Sequence, residues 1–269
     1  MKREEKVFKY KGVSLAYTLY GEGTQTTIGF YGFNQSELDF RAYAHSLGEN
    51  HRFYCIDLFF HGKSVWPHGD EALSKELWQE IFDTFKEHEE IRRFSMVGFS
   101  LGAKVLLATL EAFPSIVNSI TMIAPDGIHL NMWYKLATSC PPFTYIFKQT
   151  IDRPGIFYRF IALLERLRLV DSGLARFSKS QMKTKALRNK VFYSWMVYRS
   201  FSFSSTQIAD IINQHNIATT IILGDSDKVI NISKVKTLLQ KLDHYDLKTI
   251  PANHYNLLRR ALVNERKGD

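Results

Sequence analysis

The strongest constraint on this chain is a rhythm. Apolar runs that read as strands, TTIGFYGF (26–33), RFYCIDL (52–58), RRFSMVGF (92–99) and SITMIAPD (119–126), are separated by stretches with helical periodicity. Strands buried on both faces have this continuous apolar character, whereas half-exposed antiparallel strands alternate. KVFKY (6–10) and VSLAYTLY (13–20) alternate and predict an antiparallel pair at the start. SELDFRAYAHSLGEN predicts a short helix that ends at Gly48. LSKELWQEIFDTFKEHEE places Leu77, Ile81, Phe82 and Phe85 on one helical face behind a Ser74 cap, with Glu76 and Glu80 nearby. GAKVLLATLEAF predicts the next helix, stopped at Pro114. Strand–helix alternation of this kind requires a mostly parallel central sheet flanked by helices.

The rhythm breaks near residue 128 and resumes near 206 with ATTIILGDSD, ISKVKTLLQKLD, YDLKTIPAN and NLLRRALVNERKG, read as strand, helix, strand and helix. The chain therefore predicts an α/β core from 1–127 and 206–269, interrupted by a helical insertion over 128–205. The insertion is aromatic and basic. Between 141 and 200, twelve Lys and Arg stand against three acids, although the whole chain carries a formal charge of only +8. Within it, IFYRFIALLERLRLV is amphipathic, with Phe160, Leu163, Leu164 and Leu167 on one side and Arg159 and Arg166 on another.

Several classes are disfavoured. The first residues, MKREEKVFKY, lack the apolar h-region of a signal peptide, and no run of about 18 apolar residues predicts a membrane span. Cys55 and Cys140 do not make a disulfide framework, and a cytoplasmic location is expected. No Cys/His cluster has zinc spacing. His61-Gly62-Lys63-Ser64 lacks the earlier glycine of a phosphate loop, because Asp57 stands there.

The segment Gly98-Phe99-Ser100-Leu101-Gly102 matches G-x-S-x-G. An apolar strand precedes it and a helix follows, which is the nucleophile-elbow context. Small neighbours are needed because a serine at such a turn brings the adjoining backbones very close. The helix start would aim the N–H of Leu101 at a developing oxyanion. A nucleophilic serine needs a base and an orienting acid, in chain order Ser, Asp/Glu, His. Asp227 follows one predicted strand and His254 follows the next, and ligands of parallel sheets gather at the carboxyl ends of strands. Asp225 and Asp126 are alternative carboxylates.

Together, GFSLG, LGDSD, NHYNLL and DLFFHGKS (57–64) resemble the α/β-hydrolase superfamily over 1–127 and 206–269. The resemblance implies an α/β-hydrolase fold with a helical cap, Ser100, His254 and Asp227 as a catalytic triad, and no metal or cofactor. It also implies that the N–H of Phe33 is the second oxyanion donor. Two departures stand out. Tyr31-Gly32-Phe33 replaces the usual His-Gly, and Phe60 occupies a position often held by glycine, which predicts an altered loop.

The expected function is hydrolysis of a carboxylic ester, thioester or lipid-like acyl substrate, a small molecule. A C–C bond hydrolase or a lyase similar to the menaquinone-pathway enzyme is an alternative, because Lys104 stands four residues after the serine. The simpler reading of Lys104 is a lysine on a helix face. A small-ligand sensor that retains the triad is a third option. The basic insertion is read as a solvated face, an attractor of anionic ligands or a peripheral membrane contact, and nucleic acid is not expected.

Overall fold

The computed structural model describes residues 1–128, 132–230 and 232–264. Among the described residues two compact units are present. One draws on Met1–Pro67, Ser74–His129 and Phe201–Asp269, and the other on His68–Leu73 and Leu130–Ser200.

The first unit holds an eight-stranded sheet. Its strands are β1 (Arg3–Tyr10), β2 (Val13–Tyr20), β3 (Gln25–Phe30), β4 (His51–Ile56), β5 (Phe94–Phe99), β6 (Val117–Ile123), β7 (Ala218–Gly224) and β8 (Asp246–Ile250). The spatial order is β1-β2-β4-β3-β5-β6-β7-β8. β1 pairs antiparallel with β2, and β2 antiparallel with β4, while every pairing from β4 to β8 is parallel. The alternating first strands thus sit at one edge, and the continuously apolar ones fill the middle, where both faces are covered.

The helices of this unit are α1 (Glu37–Ser46), α2 (Lys75–His88) and α3 (Leu101–Ala112), followed, beyond the second unit, by α9 (Ser205–Gln214), α10 (Ile232–Leu239) and α11 (Leu257–Asn264). The end of the last predicted helix, 265–268, lies outside the described residues. Ser74 caps α2 by accepting from the N–H of Leu77. The buried face of α2 is Trp78, Ile81, Phe82 and Phe85. Trp78 rather than Leu77 fills the inner position, because its indole N–H reaches Thr109 Oγ1 at 3.0 Å while its ring adds more apolar area. α3 is buried along its first ten residues, so it is the central helix of this layer.

The second unit is helical: α4 (Met132–Ser139), α5 (Pro141–Gln149), α6 (Pro154–Arg166), α7 (Ser172–Gln181) and α8 (Lys185–Val197). It also recruits the short segment 68–73. The N–H of Leu73 donates to Val197 O at 2.8 Å, Arg199 donates to Asp70 O at 2.7 Å, and Lys148 pairs with Asp70 at 2.7 Å. Its apolar clusters are small. Ile151, Phe192 and Met196 form one, and Ile161, Leu164 and Ala175 another, with Trp133, Phe157 and Val170 packed against it. The inner face of α6 is therefore Phe157, Ile161 and Leu164, so of the four residues that the sequence groups on one side only Leu164 is buried. Phe160, Leu163 and Leu167 are exposed.

Candidate active site

Ser100 stands at the join of β5 and α3 with φ 50° and ψ −116°. A non-glycine residue there is strained by about 1–2 kcal/mol. The surroundings enforce the conformation. The N–H of Ser100 donates to Ile123 O at 2.9 Å, and its carbonyl accepts from Ala103 and Asp126. The flanking glycines are steric requirements. A Cβ on Gly102 would lie 1.9 Å from Phe30 O, and one on Gly98 would lie 2.8 Å from Ala103 Cα. The turn therefore closes only because both positions lack side chains.

His254 lies in the loop between β8 and α11, and Asp227 in the turn after β7. Ser100 Oγ is 3.1 Å from His254 Nε2, and His254 Nδ1 is 2.7 Å from Asp227 Oδ2. The ionised carboxylate can only accept, so the Nδ1 proton faces it and Nε2 is left to accept from the serine hydroxyl. Asp227 is buried, and its other oxygen, Oδ1, accepts from the N–H groups of Val229 at 2.7 Å and Ile230 at 2.9 Å. Those bonds compensate the carboxylate for lost water. The imidazole lies against the Phe99 ring, centroids 5.1 Å apart.

The alternative carboxylates have other tasks. Asp225 Oδ1 accepts from the N–H of Ala252 at 3.2 Å and so ties the β7 turn to the loop carrying His254. Asp126 Oδ1 accepts from the N–H of Gly127. Only Asp227, of these three, is bonded to the imidazole.

The loop after β3 carries Phe33. In it, the N–H of Gly32 donates to Gln35 Oε1 at 2.8 Å and that of Asn34 to His61 Nε2 at 3.1 Å. No hydrogen bond to the Phe33 N–H is found among the described residues. Leu101 is the first residue of α3, where a main-chain N–H has no partner within the helix.

The sequence reading gave no role to His61, which is buried. Its Nδ1 lies 3.1 Å from Phe59 O, so the proton sits on Nδ1 and Nε2 accepts from Asn34. The loop 57–64 thereby holds the loop 31–35. Asp57 strengthens the clamp by accepting from Tyr31 Oη and the Lys63 N–H, both at 2.8 Å. Desolvation nevertheless raises the Asp57 carboxyl above its ordinary range. Ser64 donates to Asp57 O and accepts from the Ala16 N–H. Phe60 does not reshape this loop by avoiding the glycine conformation, because it adopts φ 64° itself.

Lys104 lies on α3, as the helix reading expects. It is fully buried on α3 and not on an exposed face. Burial depresses its ammonium below the usual lysine value, and the charge of Asp126 opposes that shift. Among the described residues, no group of three or more His, Cys, Asp or Glu is placed to hold a metal ion, and no helix is long and apolar enough to cross a membrane.

A sequence model of the alpha/beta hydrolase fold family matches residues 29–261. The chain belongs to the alpha/beta hydrolase fold family. Its fold is similar to that of an alpha/beta hydrolase enzyme from a Medee basin deep-sea metagenome library, with TM-score 0.70 and 17% identity over 98% of each chain. It is also similar to the thioesterase domain from the curacin biosynthetic pathway, with TM-score 0.67 and 14% identity over 99% of each chain. In sequence it resembles a probable lysophospholipase, BODYGUARD 2 of Arabidopsis thaliana, being 25% identical over 114 residues. That alignment takes in 42% of this chain and 23% of the relative, so the chain matches less than a quarter of the plant protein's length. Within an alpha/beta hydrolase, the Ser100 turn, the β7 turn and the β8 loop all lie at the carboxyl ends of parallel strands, the usual ligand edge of such sheets.

Proposed function

We propose that the protein is a serine hydrolase acting on a carboxylic ester, thioester or lipid-like acyl substrate, with Ser100 as nucleophile, His254 as general base and acid, and Asp227 as the orienting carboxylate. One observation carries the reading: an unbroken chain of hydrogen-bond distances from Ser100 Oγ through His254 to a buried, fully compensated Asp227. The family and the lysophospholipase and thioesterase names of its relatives favour an acyl substrate.

In this mechanism Ser100 Oγ attacks the acyl carbonyl as its proton passes to His254 Nε2. The imidazolium is stabilised through Nδ1 by Asp227. The carbonyl electrons move onto oxygen, where the N–H groups of Leu101 and Phe33 donate to the oxyanion. When the tetrahedral species collapses, the carbonyl re-forms and the C–O or C–S bond to the leaving group breaks. The leaving alcohol or thiol takes the proton from His254. Water then repeats the sequence on the acyl-enzyme, releasing the acid and restoring the serine. The lyase alternative loses its main support, because a fully buried Lys104 does not present its ammonium to a substrate. Two free cysteines favour a reducing, cytoplasmic setting.

The test is a p-nitrophenyl ester series of rising acyl length, assayed with the wild type and Ser100→Ala. The expected result is turnover that falls by about a thousandfold or more in the variant, with the same thermal melt. Undiminished turnover by Ser100→Ala would overturn the assignment.

A further inference from the structure

We propose that the outer face of α6 docks the protein on an anionic lipid surface. This goes beyond the hydrolase reading and does not depend on it. The observation is a helix with two apolar faces, of which the second unit uses one. Phe157, Ile161 and Leu164 pack inward. Ile156, Phe160, Leu163 and Leu167 are 37%, 42%, 51% and 56% exposed. Spaced by four, three and four residues, these four fall within an arc of about 60° and form one continuous stripe. Single exposed apolar residues need no explanation, but a stripe of large ones does. The neighbouring helix α5 also carries exposed Phe143 and Ile146.

Charge selects the occupant. Arg159 and Arg166 lie on the flank of the stripe that faces away from the unit's core, and both are exposed. Arg153 and Arg168 stand exposed at the two ends of the helix. The three acids between 141 and 200 each hydrogen-bond or pair with another group. Asp152 pairs with Lys185 at 2.6 Å, Glu165 pairs with Lys179 at 2.5 Å, and Asp171 caps α7 by accepting from Gly173. No ion pair to Arg159 or Arg166 is found among the described residues. A second copy of the chain seated on this stripe would bring like charges together. A bilayer rich in anionic headgroups presents phosphates that guanidinium groups bind bidentately, with acyl chains beneath for the apolar stripe.

The experiment is vesicle co-sedimentation of the full chain at about 0.1 M salt. One set of vesicles is phosphatidylcholine alone, and the other contains about one-third phosphatidylserine. Binding to the anionic set is expected to be at least about tenfold tighter, and to weaken at higher salt. Arg159→Gln with Arg166→Gln should lower it by about fivefold per arginine. Phe160→Ser with Leu163→Ser should lower it by about tenfold. Circular dichroism checks folding. The arginine pair, wholly on the surface, keeps the test valid if the serine pair misfolds. Equal binding to both vesicle sets, or no binding to either, overturns the proposal. So does a dimer in solution that the serine pair abolishes while vesicles are ignored, which would make the stripe a self-association face.

Discussion

The sheet unit and the helical unit spend their apolar residues differently. In the sheet unit, large side chains such as Trp78, Tyr31, Phe30 and Phe82 are almost wholly enclosed, and the buried polar groups Asp57, His61 and Asp227 each have named partners. In the helical unit Phe192, Val197 and Tyr198 are also enclosed, but large apolar residues of α5 and α6 remain in contact with solvent. Close packing transmits strain and so can hold Ser100 in a costly conformation. A loosely covered helix cannot do that, but it offers surface to something else. The first unit fixes geometry, and the second leaves apolar surface exposed.

The sharpest way to break this comparison is to make one substitution in both units. At Gly102 a Cβ would collide with the Phe30 carbonyl, a backbone atom that cannot step aside. Gly102→Ala is expected to cost about 4 kcal/mol or more, or to prevent folding. Gly155, in the first turn of α6, has nothing within 4 Å of the point where a Cβ would sit. Gly155→Ala is expected to add a few tenths to about 1 kcal/mol, because alanine restricts the unfolded chain and favours the helix. Urea melts of both variants check the pair. Losses of similar size would mean that the helical unit is as tightly constrained as the sheet.

His61 tests whether the clamp within the sheet unit serves chemistry. Replacing it by leucine removes the acceptor of the Asn34 N–H and frees the loop that carries Phe33. His61→Leu is expected to lower kcat on an ester by about tenfold to a hundredfold with little change in KM, as for a misplaced oxyanion donor. His61→Gln, whose Oε1 can accept the same bond, should recover much of the loss. A purely structural role would instead lower the melting temperature without splitting kcat from KM, and glutamine would not restore kcat selectively.

How much of this was legible in the sequence follows from how local each signal is. The strand–helix rhythm records burial on both faces of central strands, and it predicts the sheet directly. The placement of Ser100, Asp227 and His254 just beyond strands was legible, because pattern alone locates such positions. Gly224 contributed too, since a Cβ there would lie 2.3 Å from Ala252 O, so its absence draws the Asp227 turn against the His254 loop. The role of His61 was hidden, because its partner is 27 residues away and the bond is to a main-chain N–H. The inner face of α6 was ambiguous, because apolar residues cover two adjacent faces and periodicity cannot say which one meets a neighbour. The segment 68–73 joins the helical unit through main-chain carbonyls and N–H groups as much as side chains, and such bonds leave little trace in residue types.

Lys104 gives the finest discrimination between the units. The helical unit keeps Lys179 and Lys185 at its surface in ion pairs, whereas the sheet unit encloses Lys104 completely. The apolar residues on every side of it in α3 were the available signal, since a helix that is apolar all round is buried. Burial lowers the folded-state pKa, so between that value and the ordinary 10.5 the unfolded chain binds more protons than the folded one. Stability from this group therefore rises with pH across that window, by about 1.4 kcal/mol for each pH unit of its width. The tyrosines act in the opposite sense at higher pH. Burial raises Tyr54 to about 12, so the folded chain holds a proton that the unfolded chain releases above 10. Comparing Lys104→Met with the wild type cancels that contribution. In urea melts at rising pH up to 10.5, wild-type stability should gain on the variant once the pH passes the lowered folded-state value. A constant difference would mean that Lys104 titrates as an exposed lysine does, and that the sheet unit is more open to water around α3 than its packing indicates.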